Sequence, residues 1–443
     1  MLLSRTGVAF AIGAVGMTAA VQTVSILLLR FLTDSVAISA ATATLIIAGA
    51  HLYDALIDPV VGHASDRTST RWGRRRPYLF SGSLLLPLAL ICLFNIPASF
   101  EGGTLLVCVA AVMLALSTGG SLYKVPYAAL SAEVSSSYHE RSNLMAYRAC
   151  GSSIGIMLGA TIPAWLLEQW GTDRTSYAST AWVVGGVVLL CCLAGLLLLP
   201  KDEREIAAPA RHSFRDYTRI AWQNKPFRIV CATHAVFMVG VAAGSWSNAH
   251  FTRYVLHASD GWLGTFYVIM VPASLLSLPL WLKAAQVYDK KPTYLAALGA
   301  YGLLHLTWLL ADAAEPIELR CLRVLLIGFA LGGVMLLAFS IIADAIRYDT
   351  LHSGQHREGA LSGIQSIIDR AFSVIGVVAI GALLTASGYL ASTDDEVGAQ
   401  PGTAIAAIYT AFSILPALSC AFSMMILSKY HLTADMLREP DAG

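Results

Sequence analysis

The sequence predicts an all-α membrane protein of twelve transmembrane helices, built as two six-helix bundles. Three observations predict it. The 443 residues are 56% hydrophobic and only 13% charged, with a mean hydropathy of +0.64, whereas a soluble globular chain carries about a quarter charged residues. Apolar runs recur that reach the roughly 20 residues needed to cross a hydrocarbon core. The loops between them alternate between basic and acidic.

The runs lie near 6–30, 38–62, 78–97, 103–130, 142–168, 179–199, 226–256, 261–284, 292–312, 319–343, 360–389 and 403–428. The first begins like a signal peptide, but its apolar stretch continues to Leu29 and is long enough to span. Glycine is frequent within the runs, as expected where helices approach closely without a hydrophobic driving force. The longest connection, 201–225, divides the chain into an N-terminal bundle (1–200) and a C-terminal bundle (226–443). It holds Lys201, Arg204, Arg211, Arg215, Arg219 and Lys225. Within it, SFRDYTRIAW sets Phe214, Tyr217 and Ala221 opposite Arg215 and Arg219, which predicts a short interfacial helix capped by Ser213.

Loop charge orients the spans. The connection after the second run carries Arg67, Arg71, Arg74, Arg75 and Arg76, and the one after the eighth carries Lys283, Lys290 and Lys291. Alternate loops hold Glu101, then Asp312, Glu315 and Glu318, then Asp394, Asp395 and Glu396. Positive charge stays inside, so both termini and the central loop are expected in the cytoplasm of a plasma (inner) membrane protein. The halves also echo each other: GHASDRTSTRWGRRRPYLF follows run two and KAAQVYDKKPTYL follows run eight, each an acid, a basic group, then proline. That pattern suits parallel repeats about an axis along the membrane normal. Asp66, Arg67, Arg74 and Asp289 are candidates for a cytoplasmic latch between the bundles; topogenic charge alone is the competing reading.

Composition also excludes. A net charge of +1 with no segregated basic domain gives no nucleic-acid surface. Eight cysteines lack disulfide or zinc spacing and read as small packing residues. No nucleophile elbow, HExxH helix, phosphate loop or haem motif is present, so neither an enzyme nor a cofactor is expected.

Ionisable groups at membrane depth are the informative ones, because a charge there costs at least about 2.5–3.5 kcal/mol. Asp54 and Asp58 in YDALIDPVVG lie one turn apart, about 40° apart around the helix. Two such carboxylates stay ionised only with a cation or proton between them, and oxygen ligands without His or Cys favour Na+ or H+. Pro59 follows and removes a backbone donor. An acid pair facing cytoplasmic water is the bland alternative. Lys124 stands in LYKVPYAAL, two residues before Pro126. Arg148 opens the fifth run and either snorkels or faces its polar side. Asp369 and Arg370 are neighbours pointing about 100° apart, so they meet different partners. The single histidines His234, His250 and His305 lack metal spacing and are expected to pack.

YDALIDPVVG, TRWGRRRPY, VPYAALSAEV and ERSNLMAYR, with ADAIRYDTLHSGQHREGALSG in the second half, resemble the glycoside–pentoside–hexuronide:cation symporters of the major facilitator superfamily. The resemblance covers nearly the whole chain. It implies the major facilitator fold and secondary active transport by alternating access, with the lipid bilayer and a small-molecule substrate as partners of a monomer. It also implies that Asp54 and Asp58 bind the coupling Na+ or H+, with the hydroxyl of Ser121 beside them, and that both acids ligate the metal if the ion is Na+. Arg148 matches an arginine of the sugar cavity, and Arg370 stands where many relatives carry lysine. Ile57 replaces an asparagine ligand of melibiose permease. Where that branch holds galactoside hydroxyls on two acids, this chain has Thr18 and Lys124, and Ala128 replaces an aromatic.

A galactoside held by two carboxylates is therefore not expected. Lys124 either joins Arg148 and Arg370 around an anionic substrate such as a uronide, or pairs with Asp54 or Asp58 in the cation's place; a structural lysine is the third reading. The function expected is Na+- or H+-coupled symport of a small polar solute of the sugar class. A lysophospholipid-type cation symporter is the alternative, and a non-transporting membrane sensor a more distant one.

Overall fold

A computed structural model describes residues 5–134, 138–199, 222–353, 358–391 and 400–432. The short interfacial helix predicted from Ser213 lies outside them except for Trp222, as do Asp394, Asp395 and Glu396. Among the described residues, twelve helices are long and apolar enough to cross a membrane, and they fall on the twelve predicted runs. They are α1 (Arg5–Arg30, extended by a π-turn Phe31–Ser35), α2 (Ala40–Arg67), α3 (Arg76–Phe94), α4 (Gly102–Val134), α5 (Tyr138–Trp170) and α6 (Arg174–Leu198). The second half has α7 (Lys225–Tyr254), α8 (Gly261–Tyr288), α9 (Lys290–Leu306 with a 3-10 turn to Leu310), α10 (Ile317–Ser353), α11 (Glu358–Ala386) and α12 (Gly402–Tyr409 and Leu415–Ser428 around a π-turn).

Local chemistry sets the ends. Ser39 caps α2, its hydroxyl accepting from the Thr42 N–H at 3.3 Å. Asp173 caps α6 by accepting from the Ser176 N–H at 3.1 Å; the side chains of Ser176 and Thr175 hold its carboxyl below the usual carboxylate range. A single residue joins α8 to α9: Asp289 sits at φ +72°, in the left-handed region that aspartate tolerates, and its carboxylate accepts from the Lys290 N–H at 2.7 Å. Pro59 and Pro126 each remove a backbone donor inside helices that continue past them.

The two halves pack by one scheme. In the first, α1 lies against α5 and α6, α3 against α4 and α6, and α2 against α4. In the second, α7 lies against α11 and α12, α9 against α10 and α12, and α8 against α10. Adding six to each helix number converts one set into the other, which is the parallel repeat that the loop sequences suggested. Between halves, α2 meets α11, α5 meets α8 and α1 meets α7.

Small residues allow the closest approaches. On α5, a Cβ added at Gly151, Gly155 or Gly159 would overlap the backbone of Ala11, Val15 or Ala19 on α1. On α10, a Cβ at Gly328 would lie 2.5 Å from the Met270 carbonyl oxygen of α8. Spacing by four puts the α5 glycines in one row that α1 rests on. Gly155→Leu is expected to force these helices apart and to cost about 1–3 kcal/mol or more, read as a lower unfolding temperature in detergent; Gly49→Leu, where a Cβ meets nothing, is expected to leave that temperature unchanged.

Candidate functional site

At the interface of the halves, α2, α4 and α11 bring four charges together. Asp58 accepts from the Ser121 hydroxyl at 2.6 Å. Lys124 Nζ lies 3.1 Å from Asp58 Oδ2 and 3.6 Å from Asp54 Oδ2. The Arg370 guanidinium donates to Asp58, with Asp54 at 3.8 Å. Positions 54 and 58 share a face of α2, and Ser121 and Lys124, three apart on α4, share the face opposite. The set is two carboxylates, one ammonium and one guanidinium, with side-chain exposures between 18% and 29%. A buried charge needs such a partner, and here each acid has two.

Above this cluster, away from the terminal ends of the helices, is a cavity of about 140 Å³ among α1, α2, α4 and α7. Its lining is mostly apolar, including Val24, Met113 and Trp246, with His51, Asp54 and Lys124 as polar groups. Tyr53 is tied to Thr118 by a 3.0 Å hydrogen bond, and the His51 ring meets Trp246 edge-on at 6.3 Å.

The remaining predicted residues sit elsewhere. The Thr18 hydroxyl donates to the carbonyls of Ala14 at 2.7 Å and Ser152 at 3.2 Å, so its proton is committed to the α1–α5 contact. Arg148 lies over the Tyr127 ring at 5.7 Å, and the Tyr127 hydroxyl donates to the Phe10 carbonyl. Arg370, rather than Arg148, is thus the cation that joins Lys124. Asp369 turns away from Arg370 to His234 on α7, at 3.7 Å. Of the latch candidates, Asp66 pairs with Arg75 at 3.0 Å within its own half, Arg67 is exposed at the end of α2, and Arg74 is half-buried in the loop before α3. Asp289 caps α9, whose Lys290 pairs with Asp344 at 2.5 Å. These pairs brace each half internally.

Besides the Arg370 contacts to Asp54 and Asp58, further pairs cross between halves on the face opposite the termini, and sequence reasoning missed these. Arg30, 1% exposed, is held by both oxygens of Asp260 at the start of α8. Asp34 in the π-turn accepts from the phenols of Tyr254 at 2.9 Å and Tyr389 at 2.6 Å. Burial and the Asp34 carboxylate push the Tyr389 phenol well above its ordinary value, which keeps it a donor. Ser259 donates to Glu168 at 2.7 Å, and Arg253 to Thr172 at 3.2 Å. An arginine closing the first run on the side expected to lack positive charge was the available signal.

Twelve spans in two matching halves, joined by ion pairs across a central interface, define a multi-pass transporter of the major facilitator fold. Residues 9–434 match the family described as MFS/sugar transport protein, and the chain belongs to it, a family of transporters related to the glycoside–pentoside–hexuronide:cation symporters rather than of enzymes. The chain is 25% identical to a glucuronide carrier protein homolog of Escherichia coli K12, over 98% of this chain and 94% of that one. It is 23% identical to a sphingosine-1-phosphate transporter of Xenopus tropicalis, over 93% and 84%. Among solved structures, a bacterial homolog of the human lysosomal transporter Spinster superposes with a TM-score of 0.68, covering 97% of both chains at 12% identity, a likeness of fold.

Proposed function

We propose that this protein is a proton-coupled symporter of the cell's inner membrane, with both termini cytoplasmic, that imports a small acidic sugar such as a glucuronide. The observation that carries the reading is Lys124 Nζ within 3.6 Å of both Asp54 and Asp58. A Na+ ion and that ammonium compete for the same oxygens, and two carboxylates balanced by Lys124 and Arg370 have no charge left for a metal ion. Protonation needs no such room. Basic loops on the terminal face support the orientation, and the relative named as a glucuronide carrier homolog supports the solute class.

The cycle follows from competition. A solute carboxylate entering beside Lys124 draws it and Arg370 away from Asp58, and the released acid takes up a proton. Asp58 lies on α2 and Arg370 on α11, so that exchange loosens a contact between the halves. One proton carried with one glucuronide anion moves no net charge, so the drive is the pH gradient, about 1.4 kcal/mol per pH unit. Phenyl β-D-glucuronide uptake into proteoliposomes tests the reading: accumulation under an inward proton gradient without Na+ is expected. Accumulation driven by a Na+ gradient alone would sink it.

A second reading has its own support in the largely apolar cavity beside Lys124 and in the relative named as a sphingosine-1-phosphate transporter. There Lys124 meets a phosphate and the cavity an acyl chain. Extraction of lysophosphatidate from liposomes, with no uptake of the glucuronide, selects it.

A further inference from the structure

Asp369, an acid within a spanning helix, stands outside the four-charge cluster. Asp369 follows the helical geometry away from its neighbour Arg370, and its Oδ2 lies 3.7 Å from His234 Nε2 and 3.5 Å from Gln365 Nε2. The His234 side chain is 3% exposed, and Asp369 21%. Three buried polar atoms have no hydrogen-bond partner among the described residues here: Asp369 Oδ1, His234 Nδ1 and the Tyr294 hydroxyl of α9. The Phe237 and Phe339 rings flank the imidazole at 6.3 and 5.7 Å.

A core histidine that merely packs normally has its ring nitrogens satisfied. His250 and His305 also leave one ring nitrogen unpartnered among the described residues; what sets His234 apart is the Asp369 carboxylate 3.7 Å from its other nitrogen. An ionised Asp369 needs a countercharge, and its contacts within 4 Å among the described residues include no lysine or arginine, while a neutral imidazole supplies none. A single proton shared along the Nε2–Oδ2 line makes the pair electrically neutral.

We propose that His234 and Asp369 form a proton-binding pair in the C-terminal bundle, distinct from the Asp54–Asp58 cluster. The titratable and charged groups around it are Cys231 on α7, Tyr294 on α9, Cys420 on α12 beside Tyr294, and Arg370 on α11; from α10, apolar Phe339 covers the imidazole. The proton arrives from water through the exposed edge of Asp369, and no bond other than to hydrogen changes. Loading or emptying the pair changes the charge one residue from Arg370, and so the grip of Arg370 on Asp58 across the halves. Only this last link rests on the symporter reading.

The test uses the full chain in lipid nanodiscs, with ¹³C-carboxyl aspartate and ¹⁵N-histidine, titrated by NMR without any solute. Asp369→Asn and His234→Gln assign the two signals. Each substitution is expected to move the other group's midpoint by about one pH unit, a tenfold change in proton affinity. Midpoints that ignore each other, or two groups that never titrate while the protein stays folded, overturn the pair. Either variant decides alone if the other fails to fold. Loss of proton-driven glucuronide uptake in a protein whose pair still titrates together would sink the transport reading and leave this one standing.

Discussion

Asp58→Asn is expected to abolish proton-driven uptake and to lower the unfolding temperature in detergent, with a cost near the lower end of about 3–5 kcal/mol because Asp58 is partly exposed. The substitution takes the cluster from two acids and two cations to one acid and two cations. Lys124 and Arg370 then share Asp54 alone, at 3.6 and 3.8 Å. An asparagine keeps the shape and can still accept from Ser121, so the loss isolates charge. The double variant Asp58→Asn with Arg370→Gln restores balance and is expected to recover most of the stability but none of the uptake. Unfolding temperatures of the wild type, both single variants and the double variant form a double-mutant cycle. Additive losses would mean that the Asp58–Arg370 contact carries no interaction energy and that the halves are not linked there.

The second large effect belongs to the opposite face. Arg30→Gln leaves Asp260 and Asp34 without the guanidinium that joins α1 to α8, and is expected to shift the protein towards the state open on that face. A loss of about 3 kcal/mol shifts the population by roughly 150-fold. Spin labels at Ser39 and Thr385, both exposed at that face, read the change as a longer distance once the native cysteines are replaced. Arg30→Lys keeps the charge but loses the two-pronged geometry, so an intermediate distance distribution is expected. A distribution identical to wild type in Arg30→Gln would mean that the tyrosine contacts to Asp34 hold the face closed unaided.

The two results address different steps. The Asp58 cluster decides whether solute and proton binding alter the contact between α2 and α11. The Arg30–Asp260 pair decides how firmly the far face stays shut meanwhile. The sequence marked the first set because acids at membrane depth are rare and costly. It passed over the second because an arginine and an aspartate at helix ends look like ordinary interfacial charges. Their burial, 1% exposure for Arg30, is what distinguishes them.

The sequence by itself determined the number of spans, their order, the six-plus-six division and the presence of Asp54 and Asp58 on one helical face. Those features rest on local physics: the length of an apolar run, the sign of loop charge, and the 3.6-residue repeat. It left Lys124 among three readings and assigned Arg148 and Thr18 to a cavity. Only the tertiary structure decided that Lys124 faces both acids, that Arg148 covers Tyr127, and that Thr18 bridges α1 to α5. The partner of Asp58 on α11 is 312 residues away in the chain. No local pattern encodes such a contact; it exists because two helix bundles, each folded by its own glycine rows and apolar faces, meet along α2 and α11.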